Sequence, residues 1–152
     1  MQIGVIGASK CSKEAEEIAF KVGQEIARHR AVLVCGGLTG VMEHAAKGAK
    51  SEGGLTVGIL PGFNPQDANP YIDIKIVTGL SYARNIIIVR SSDALIAIEG
   101  GYGTLSEIAF ALQAGKPIIG INTWKIDPII VIKDPVDAVK KAIELSCKER
   151  KP

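Results

Sequence analysis

The strongest constraint in this sequence is a predicted buried strand that runs through a cluster of glycines into a helix. The apolar run Ala94–Ile98 is followed by Glu99-Gly100-Gly101-Tyr102-Gly103-Thr104, and a helical pattern continues over Leu105–Ala114. Glycines at such a junction let backbone N–H groups approach a ligand, and the unpaired amides of a helix N-terminus attract an anion. The junction therefore predicts a phosphate site formed by Gly100, Gly101, Tyr102, Gly103 and Thr104.

Two further glycine turns follow predicted strands. Gly36-Gly37-Leu38-Thr39-Gly40 comes after Ala31–Cys35, and Gly7-Ala8-Ser9 comes after Ile3–Ile6. The carboxyl ends of parallel strands meet at one edge of a sheet, where such folds bind ligands. We expect a nucleotide-like ligand contacted by Gly7, Ala8, Ser9, Gly36, Gly37, Thr39 and Gly40. Ser9 either donates to that ligand or caps the helix that follows it.

Strand-like and helix-like patterns alternate along the whole chain. Strands are predicted at 3–6, 31–35, 55–60, 72–77, 94–98, 117–121 and 129–132. Helices are predicted from about residue 12 and at 39–51, 81–90, 105–114 and 135–148. This alternation predicts an α/β fold of three layers, with a mostly parallel six- or seven-stranded sheet and helices on both faces. Nothing divides the chain, so residues 1–152 are expected to form a single domain.

Composition narrows the class of protein. Of the 152 residues, 47% are hydrophobic but only 5% are aromatic, which predicts an aliphatic core. A formal charge of +2 from scattered basic residues argues against nucleic acid as a partner, and no apolar stretch approaches the ~20 residues that span a membrane. Three cysteines without a CxxC pair, and no secretory leader, favour the cytoplasm. His29 and His44 lack metal-ligand spacing, so no metal site is expected.

Several segments together resemble a known family. They are Ile3–Gly7, Gly36–Glu43, Gly58–Gly62, Thr78–Asn85 and Gly100–Glu107. The chain resembles the lysine-decarboxylase-like family of Rossmann-like nucleotide-binding proteins, which includes the LONELY GUY phosphoribohydrolases and the molybdenum cofactor carrier proteins. The short length and the Arg84-Asn85 pair are nearest to the carrier branch. No lysine lies in a pyridoxal-phosphate motif, so the resemblance does not imply lysine decarboxylation.

The resemblance implies two functions. The first is a binding or carrier protein for a phosphorylated nucleotide-like ligand, such as a bound nucleotide or a molybdopterin-type cofactor, with no cofactor required. The second is a nucleoside 5′-monophosphate phosphoribohydrolase, in which Arg84 and Glu107 would be the catalytic residues. Whether the chain is an enzyme stays open at this point. In both cases a small phosphorylated molecule is the expected partner.

Four residues near the predicted site have alternative roles. Glu107 either contacts the ligand or closes a capping box with Thr104. Arg84, in the first turn of its predicted helix, suggests an anionic partner, either a bound phosphate or Glu107. Asn85 either hydrogen-bonds the ligand or faces solvent. Glu99 places a second carboxylate beside the predicted phosphate site at residues 100–104, which we call the phosphate turn. There it would repel a dianion unless it contacts ribose hydroxyls or a cation.

Two predicted helices lack a polar face. Ile108–Leu112 and Ile86–Val89 are unbroken apolar runs, whereas a surface helix needs one polar side. A deep core would explain both runs. The family resemblance favours a second explanation, in which one of these helices pairs with another copy of the chain. We therefore expect a homodimer or a higher homo-oligomer.

Overall fold

The fold described by the computed structural model covers residues 1–149 and contains one seven-stranded parallel sheet. Its strands are β1 (Gln2–Gly7), β2 (Val32–Cys35), β3 (Thr56–Leu60), β4 (Ile74–Val77), β5 (Ala94–Ile98), β6 (Ile118–Ile121) and β7 (Ile130–Val131). The α-helices are α1 (Lys13–Arg28), α2 (Val41–Ser51), α3 (Asn85–Arg90), α4 (Tyr102–Gln113) and α5 (Pro135–Glu149). The last three residues of the predicted 1–152 domain lie outside the described residues, and the single domain stays a prediction.

The order of the strands locates the switch point of the sheet. The order is β4-β3-β2-β1-β5-β6-β7, and every neighbouring pair is parallel. From β1 the chain winds outward to β4, and it then returns to add β5 on the other side of β1. The connection after β1 leads to α1 on one face of the sheet, and the connection after β5 leads to α4 on the other. A crevice therefore opens beyond the carboxyl ends of these two strands, where Gly7 is paired with Ile98. The predicted parallel sheet, helices on both faces and Rossmann-like fold are confirmed.

Two aliphatic layers hold the helices to the sheet. Residues of α1, α2 and α5 pack on one face, with the fully buried Ile3, Leu33 and Ile96 beneath them. Residues of α3 and α4 pack on the other face over Ile6 and Leu95. All five residues of β5 are buried, as expected for a central parallel strand covered on both sides. Among residues 1–149, no helix is both long and apolar enough to cross a membrane.

Several element boundaries differ from the sequence prediction. The helix predicted at 39–51 begins at Val41, because Gly40, with φ of 67°, occupies the N-cap. The helix predicted at 81–90 is a 3₁₀ turn over Ser81–Arg84 followed by α3, so Arg84 is the residue before α3 rather than part of its first turn. The fourth strand begins at Ile74 rather than Ile72, and the edge strand is only Ile130–Val131.

Candidate functional site

A cavity of about 510 Å³ lies at the carboxyl ends of β1, β2 and β5. Small-molecule sites occupy this size range and this position in open parallel sheets. Ten of the fifteen residues predicted to bind the ligand line it together. They are Gly7, Ala8, Ser9, Gly36, Arg84, Asn85, Gly101, Gly103, Thr104 and Glu107. The fold therefore gathers three separate glycine turns around one space.

The other five predicted residues do not line this cavity, and three of them support its walls. Gly37 accepts hydrogen bonds from Asn69 at its carbonyl oxygen, and Gly40 is the N-cap of α2. The Thr39 hydroxyl donates to the carbonyl oxygen of Ser9 at 3.0 Å. The second glycine turn thus fixes the first turn in place. It contributes Gly36 to the cavity surface, whereas Gly37, Thr39 and Gly40 do not line the cavity.

The remaining two lie on the outer side of the phosphate turn. Gly100, with φ of 111°, lines a neighbouring cavity. Tyr102 is 84% exposed, and its ring lies 6.2 Å from that of Trp124. Ser9 does not cap α1, because the N-cap of that helix is Ser12, whose hydroxyl accepts from the Ala15 amide at 3.1 Å.

The sequence prediction missed other residues of the cavity wall. Most follow a strand or precede a helix at the same sheet edge, which is the signal that could have found them. They are Val5, Ile6, Lys10, Leu38, Met42, Pro61, Ser81 and Tyr82. The side chains added by this set are mostly apolar, whereas the predicted set supplies backbone amides and the two buried ionisable groups, Arg84 and Glu107. The cavity therefore has a polar part, formed by the predicted residues, and largely apolar walls.

Helix α4 begins earlier than its sequence pattern predicts. Its N-cap is Gly101, and Gly103 and Thr104 already lie in the first turn. The predicted capping box at Thr104 and Glu107 is therefore wrong, because Thr104 is inside the helix. Gly101 has no side chain to cap the first amides. Those N–H groups have no carbonyl four residues earlier within the helix, so they can bind an anion.

The glycine at residue 103 leaves this helix start open. A Cβ placed there would meet no atom within 4 Å. Thr104 and Glu107 are three residues apart, so they lie on one face of α4, and they are only 3% and 6% exposed. One face of the first two turns therefore borders the cavity.

Arg84 supplies a buried positive charge opposite this helix start. The residue is 8% exposed, and its Nη2 donates to the carbonyl oxygen of Gly36 at 3.3 Å. Its Nη1 donates to Oδ1 of Asn85. Among the side chains of residues 1–147, Arg84 Nε is the one buried nitrogen or oxygen atom that has no hydrogen-bond partner. Burial lowers the pKa of Arg84, which the charge of Glu107 partly opposes.

Asn85 joins Arg84 to the first turn of α4. It is 2% exposed, so the predicted solvent-facing role is wrong. Its Oδ1 accepts from Arg84, while its Nδ2 donates to Ser106 Oγ at 3.0 Å and lies 3.5 Å from the Gly103 carbonyl oxygen. Ser106 Oγ also donates to that carbonyl oxygen at 2.6 Å. The carboxamide is thus already bonded on both sides, and it fixes Arg84 relative to the first turn of α4.

Glu107 is held mainly in its neutral form at pH 7. Burial raises its pKa from 4.5 to about 8, although the positive charge of Arg84 acts in the opposite direction. The two side chains make no ion pair within 4.0 Å in the structure of residues 1–149. A neutral carboxylic acid can donate a hydrogen bond to a ligand, which an ionised carboxylate cannot do.

The second carboxylate, Glu99, is engaged by the start of α1. Its oxygens accept from Ser12 Oγ at 2.5 Å and from the Ser12 amide at 3.2 Å. Glu99 has a left-handed φ of 47°, and it lines the neighbouring cavity rather than the one containing Arg84. Its carboxylate is therefore hydrogen-bonded by Ser12 and lies outside the cavity wall that holds Arg84.

Cys35 and the two histidines are bound in structural contacts. Burial raises the pKa of the Cys35 thiol to about 12, so it is a poor nucleophile. His29 Nε2 lies 3.2 Å from Glu25, and His44 Nε2 lies 3.7 Å from Glu16. Within residues 1–149, no group of three or more His, Cys, Asp or Glu side chains is arranged to hold a metal ion.

The chain is similar to two kinds of known protein. The molybdenum cofactor binding protein of Rippkaea orientalis superposes with a TM-score of 0.88 at 39% identity, covering 94% of each chain. The molybdenum cofactor carrier protein of Chlamydomonas reinhardtii also superposes at 0.88, with 35% identity over 96% of this chain and 98% of that one. A cytokinin riboside 5′-monophosphate phosphoribohydrolase of Mycobacterium tuberculosis is 36% identical over 126 residues, which are 77% of this chain and 67% of the relative.

Both branches implied by the sequence resemblance are thus present among these similar proteins, and the resemblance is confirmed. The sequence model that describes the SLOG cluster4 family matches residues 1–149. The chain therefore belongs to the SLOG cluster4 family.

Proposed function

We propose that this chain binds a phosphorylated, nucleotide-like ligand of the molybdopterin type and carries it without converting it. The observation that carries the proposal is the pairing of a buried, incompletely bonded Arg84 with the open start of α4. A buried charge with an unpartnered nitrogen is unfavourable in isolation. A bound phosphate would supply both the missing acceptor and the compensating negative charge.

The residues of the cavity fit such a cofactor. The first amides of α4, at Gly103 and Thr104, together with Arg84, would hold its single phosphate. The Gly36 turn and the apolar residues Leu38 and Met42 would lie along its ring system. When bound, the pterin dithiolene would supply the metal-binding sulfur atoms. This chain's own residues would bind the phosphate, shield the ring from water and provide a neutral Glu107 as a hydrogen-bond donor.

The state of Glu107 favours carrying over hydrolysis. A hydrolase in which this side chain stabilises a cationic ribosyl transition state or orients water would need it as a carboxylate. A pKa of about 8 leaves most of the group protonated at pH 7. The similarity to the two molybdenum cofactor proteins also extends over nearly the full length of both chains.

Phosphoribohydrolase activity is the second candidate, and one observation favours it. Arg84 and Glu107, the two residues that the resemblance assigns to that reaction, do line one cavity. In this role Arg84 would neutralise the phosphate. A protonated Glu107 could still act as a general acid toward the departing base.

One pair of measurements separates the two functions. The purified protein is titrated with molybdopterin, and it is incubated separately with AMP while free adenine is measured. The carrier proposal predicts saturable molybdopterin binding, with no adenine above the protein-free control. Release of adenine and ribose 5-phosphate that the Glu107→Gln variant loses would instead establish the hydrolase.

We also propose a homo-oligomer formed through the α3–α4 side of the sheet. Phe110 of α4 is 36% exposed, and the edge-strand residues Ile74 and Ile76 are 46% and 42% exposed. Ile76 is paired with the core residue Ile59, which packs on this face, so both isoleucines point to the same side as α3 and α4. Light scattering of the wild type and of a Phe110→Asp variant tests this interface. The three free cysteines are consistent with a cytoplasmic location, which stays part of the proposal.

A further inference from the structure

A second cavity of about 600 Å³ lies on the other side of the phosphate turn. It shares Ala8, Lys10 and Gly101 with the first cavity, so the two cavities adjoin at the turn. Its remaining wall includes the loop Asn122–Trp124, which follows β6. A ligand seated at the start of α4 therefore has room to extend in two directions.

The loop after β6 is bonded to the phosphate turn. Thr123 Oγ1 donates to the Glu99 carbonyl oxygen at 2.5 Å, and Trp124 Nε1 donates to that of Gly101 at 3.3 Å. Glu99 and Asn122, at the ends of the paired strands β5 and β6, both have left-handed φ angles, of 47° and 51°. Such conformations are costly for residues other than glycine and persist where the surrounding structure fixes them. The second cavity is thus a built feature of the fold.

One aromatic side chain lines this cavity, and a second lies next to it. Trp124 lines it and is the one tryptophan of the chain. Tyr102 lies beside it, with ring centroids 6.2 Å apart and an interplanar angle of 32°. The exposed fractions are 36% for Trp124 and 84% for Tyr102, so both rings keep a free surface. Aromatic side chains of this kind bind flat heterocycles such as nucleobases by stacking.

The charged side chains at the second cavity, Lys10 and Glu99, indicate which groups of a ligand can bind beside them. Lys10 is exposed, borders both cavities and has no ion-pair partner among the side chains of residues 1–147. It lies where a second phosphate would cross the turn at Gly101. Glu99 also lines this cavity, and each of its oxygens, which already accepts one hydrogen bond from Ser12, keeps a further lone pair that favours a hydroxyl group over another anion. The second cavity therefore has a cation, carboxylate acceptor oxygens and an aromatic ring in its wall.

We propose that the second cavity is a subsite for the nucleoside half of a pyrophosphate-linked dinucleotide ligand. The subsite rests on the phosphate position in the proposed function. There the first half of the ligand occupies the Arg84 cavity. The second phosphate lies at Lys10, the ribose hydroxyls face Glu99, and the base stacks on Trp124. The chain would then accept the dinucleotide form of its cofactor in addition to the monophosphate form.

The experiment compares diadenosine pyrophosphate with AMP as probes. In the wild type, the dinucleotide should bind at least about tenfold more tightly than AMP, measured by calorimetry, and should quench the single tryptophan. Trp124→Leu should remove that advantage while AMP affinity is retained, and Trp124→Phe should keep most of it. The Phe versus Leu comparison isolates the ring, because both variants lose the hydrogen bond to Gly101. Phe63→Leu, at an 85% exposed aromatic outside both cavities, is the matched control.

Each outcome bears on one proposal. Equal affinities for the two probes, or a Trp124→Leu variant that keeps the full advantage, would overturn the subsite. If Gly103→Ala weakens the binding of both probes while Trp124→Leu weakens the binding of neither, the phosphate site is supported and the subsite is contradicted. If the tighter binding of the dinucleotide depends on Trp124 but molybdopterin does not bind, the subsite is supported and the proposed identity of the carried ligand is contradicted.

Discussion

Arg84 reaches the carbonyl oxygen of Gly36 because residue 36 has no side chain. The hydrogen bond from Nη2 is 3.3 Å long, and a Cβ at residue 36 would lie 2.5 Å from the same nitrogen atom. It would also lie 2.7 Å from the sulfur of Met42. The glycine after β2 is therefore needed for the position of the guanidinium, in addition to the turn.

Gly36→Ala is expected to displace Arg84 and weaken ligand binding. The added methyl group is too close to both Arg84 and Met42, so both side chains must move, and the guanidinium then no longer faces the start of α4. Affinity for AMP should fall by at least about tenfold, which calorimetry can measure. Gly62→Ala, whose Cβ would meet only Asp67 at 3.2 Å in an exposed loop, is the control and should bind normally.

Gly103→Ala should change stability and binding in opposite directions. The new Cβ meets no protein atom, and alanine in an exposed helical position raises the free energy of unfolding by about 0.4–1 kcal/mol. The same methyl group occupies space that a phosphate needs at the helix start. Denaturant unfolding and ligand titration of one variant test both effects. A variant that gains stability and binds normally would exclude Gly103 from the phosphate site.

The raised pKa of Glu107 predicts a specific pH dependence of stability. Between pH 4.5 and about 8 the unfolded carboxyl is ionised while the folded one keeps its proton. The folded state therefore binds more protons, and the free energy of unfolding decreases as pH rises through this window. The contribution has a limiting slope of about 1.4 kcal/mol per pH unit.

Glu107→Gln should flatten that profile, because the glutamine side chain does not titrate. Unfolding curves recorded from pH 5 to pH 9 measure the difference. Glu17→Gln, at an exposed position on α1, should leave the profile unchanged. Identical slopes for the wild type and Glu107→Gln would contradict the assignment of a neutral carboxyl at residue 107.

Asn85→Ala should affect both stability and binding more than Ser106→Ala does. The first variant removes the acceptor of Arg84 and the donor to Ser106 together, whereas the second removes one hydroxyl of the same network. Leaving a buried polar group unbonded costs about 1–3 kcal/mol. Thermal unfolding and AMP titration of the two variants test this ranking, and equal effects would mean that Asn85 does not link the two groups.

The sequence was sufficient to predict the fold because its elements carry strong local signals. The β5 sequence is uniformly apolar, and Gly53 and Gly115 end their helices with the left-handed φ that a glycine after a helix adopts. The start of α4 was predicted three residues late. In the sequence, Gly101 is compatible with either a turn or an N-cap position, and the spacing of Thr104 and Glu107 matches that of a capping box. Only packing of the turn against Trp124 and Asn85 decides between them.

The candidate site was only partly predictable, for a related reason. Strand ends and glycine turns indicate which backbone segments meet, so the Gly7, Gly36 and Gly101 turns were found. The partners of a side chain depend on tertiary distances. The bonds of Asn85 to both Arg84 and Ser106, and of Glu99 to Ser12, join residues that no local pattern relates. Trp124 follows β6 at the same sheet edge, and the strand-end rule would have indicated it.

A structure of the protein crystallised with molybdopterin tests the central claim most directly. The account predicts that the terminal phosphate lies within hydrogen-bond distance of the Gly103 and Thr104 amide nitrogens and accepts from Arg84 Nε. A phosphate bound away from the start of α4, with Arg84 Nε still without an acceptor, would contradict it.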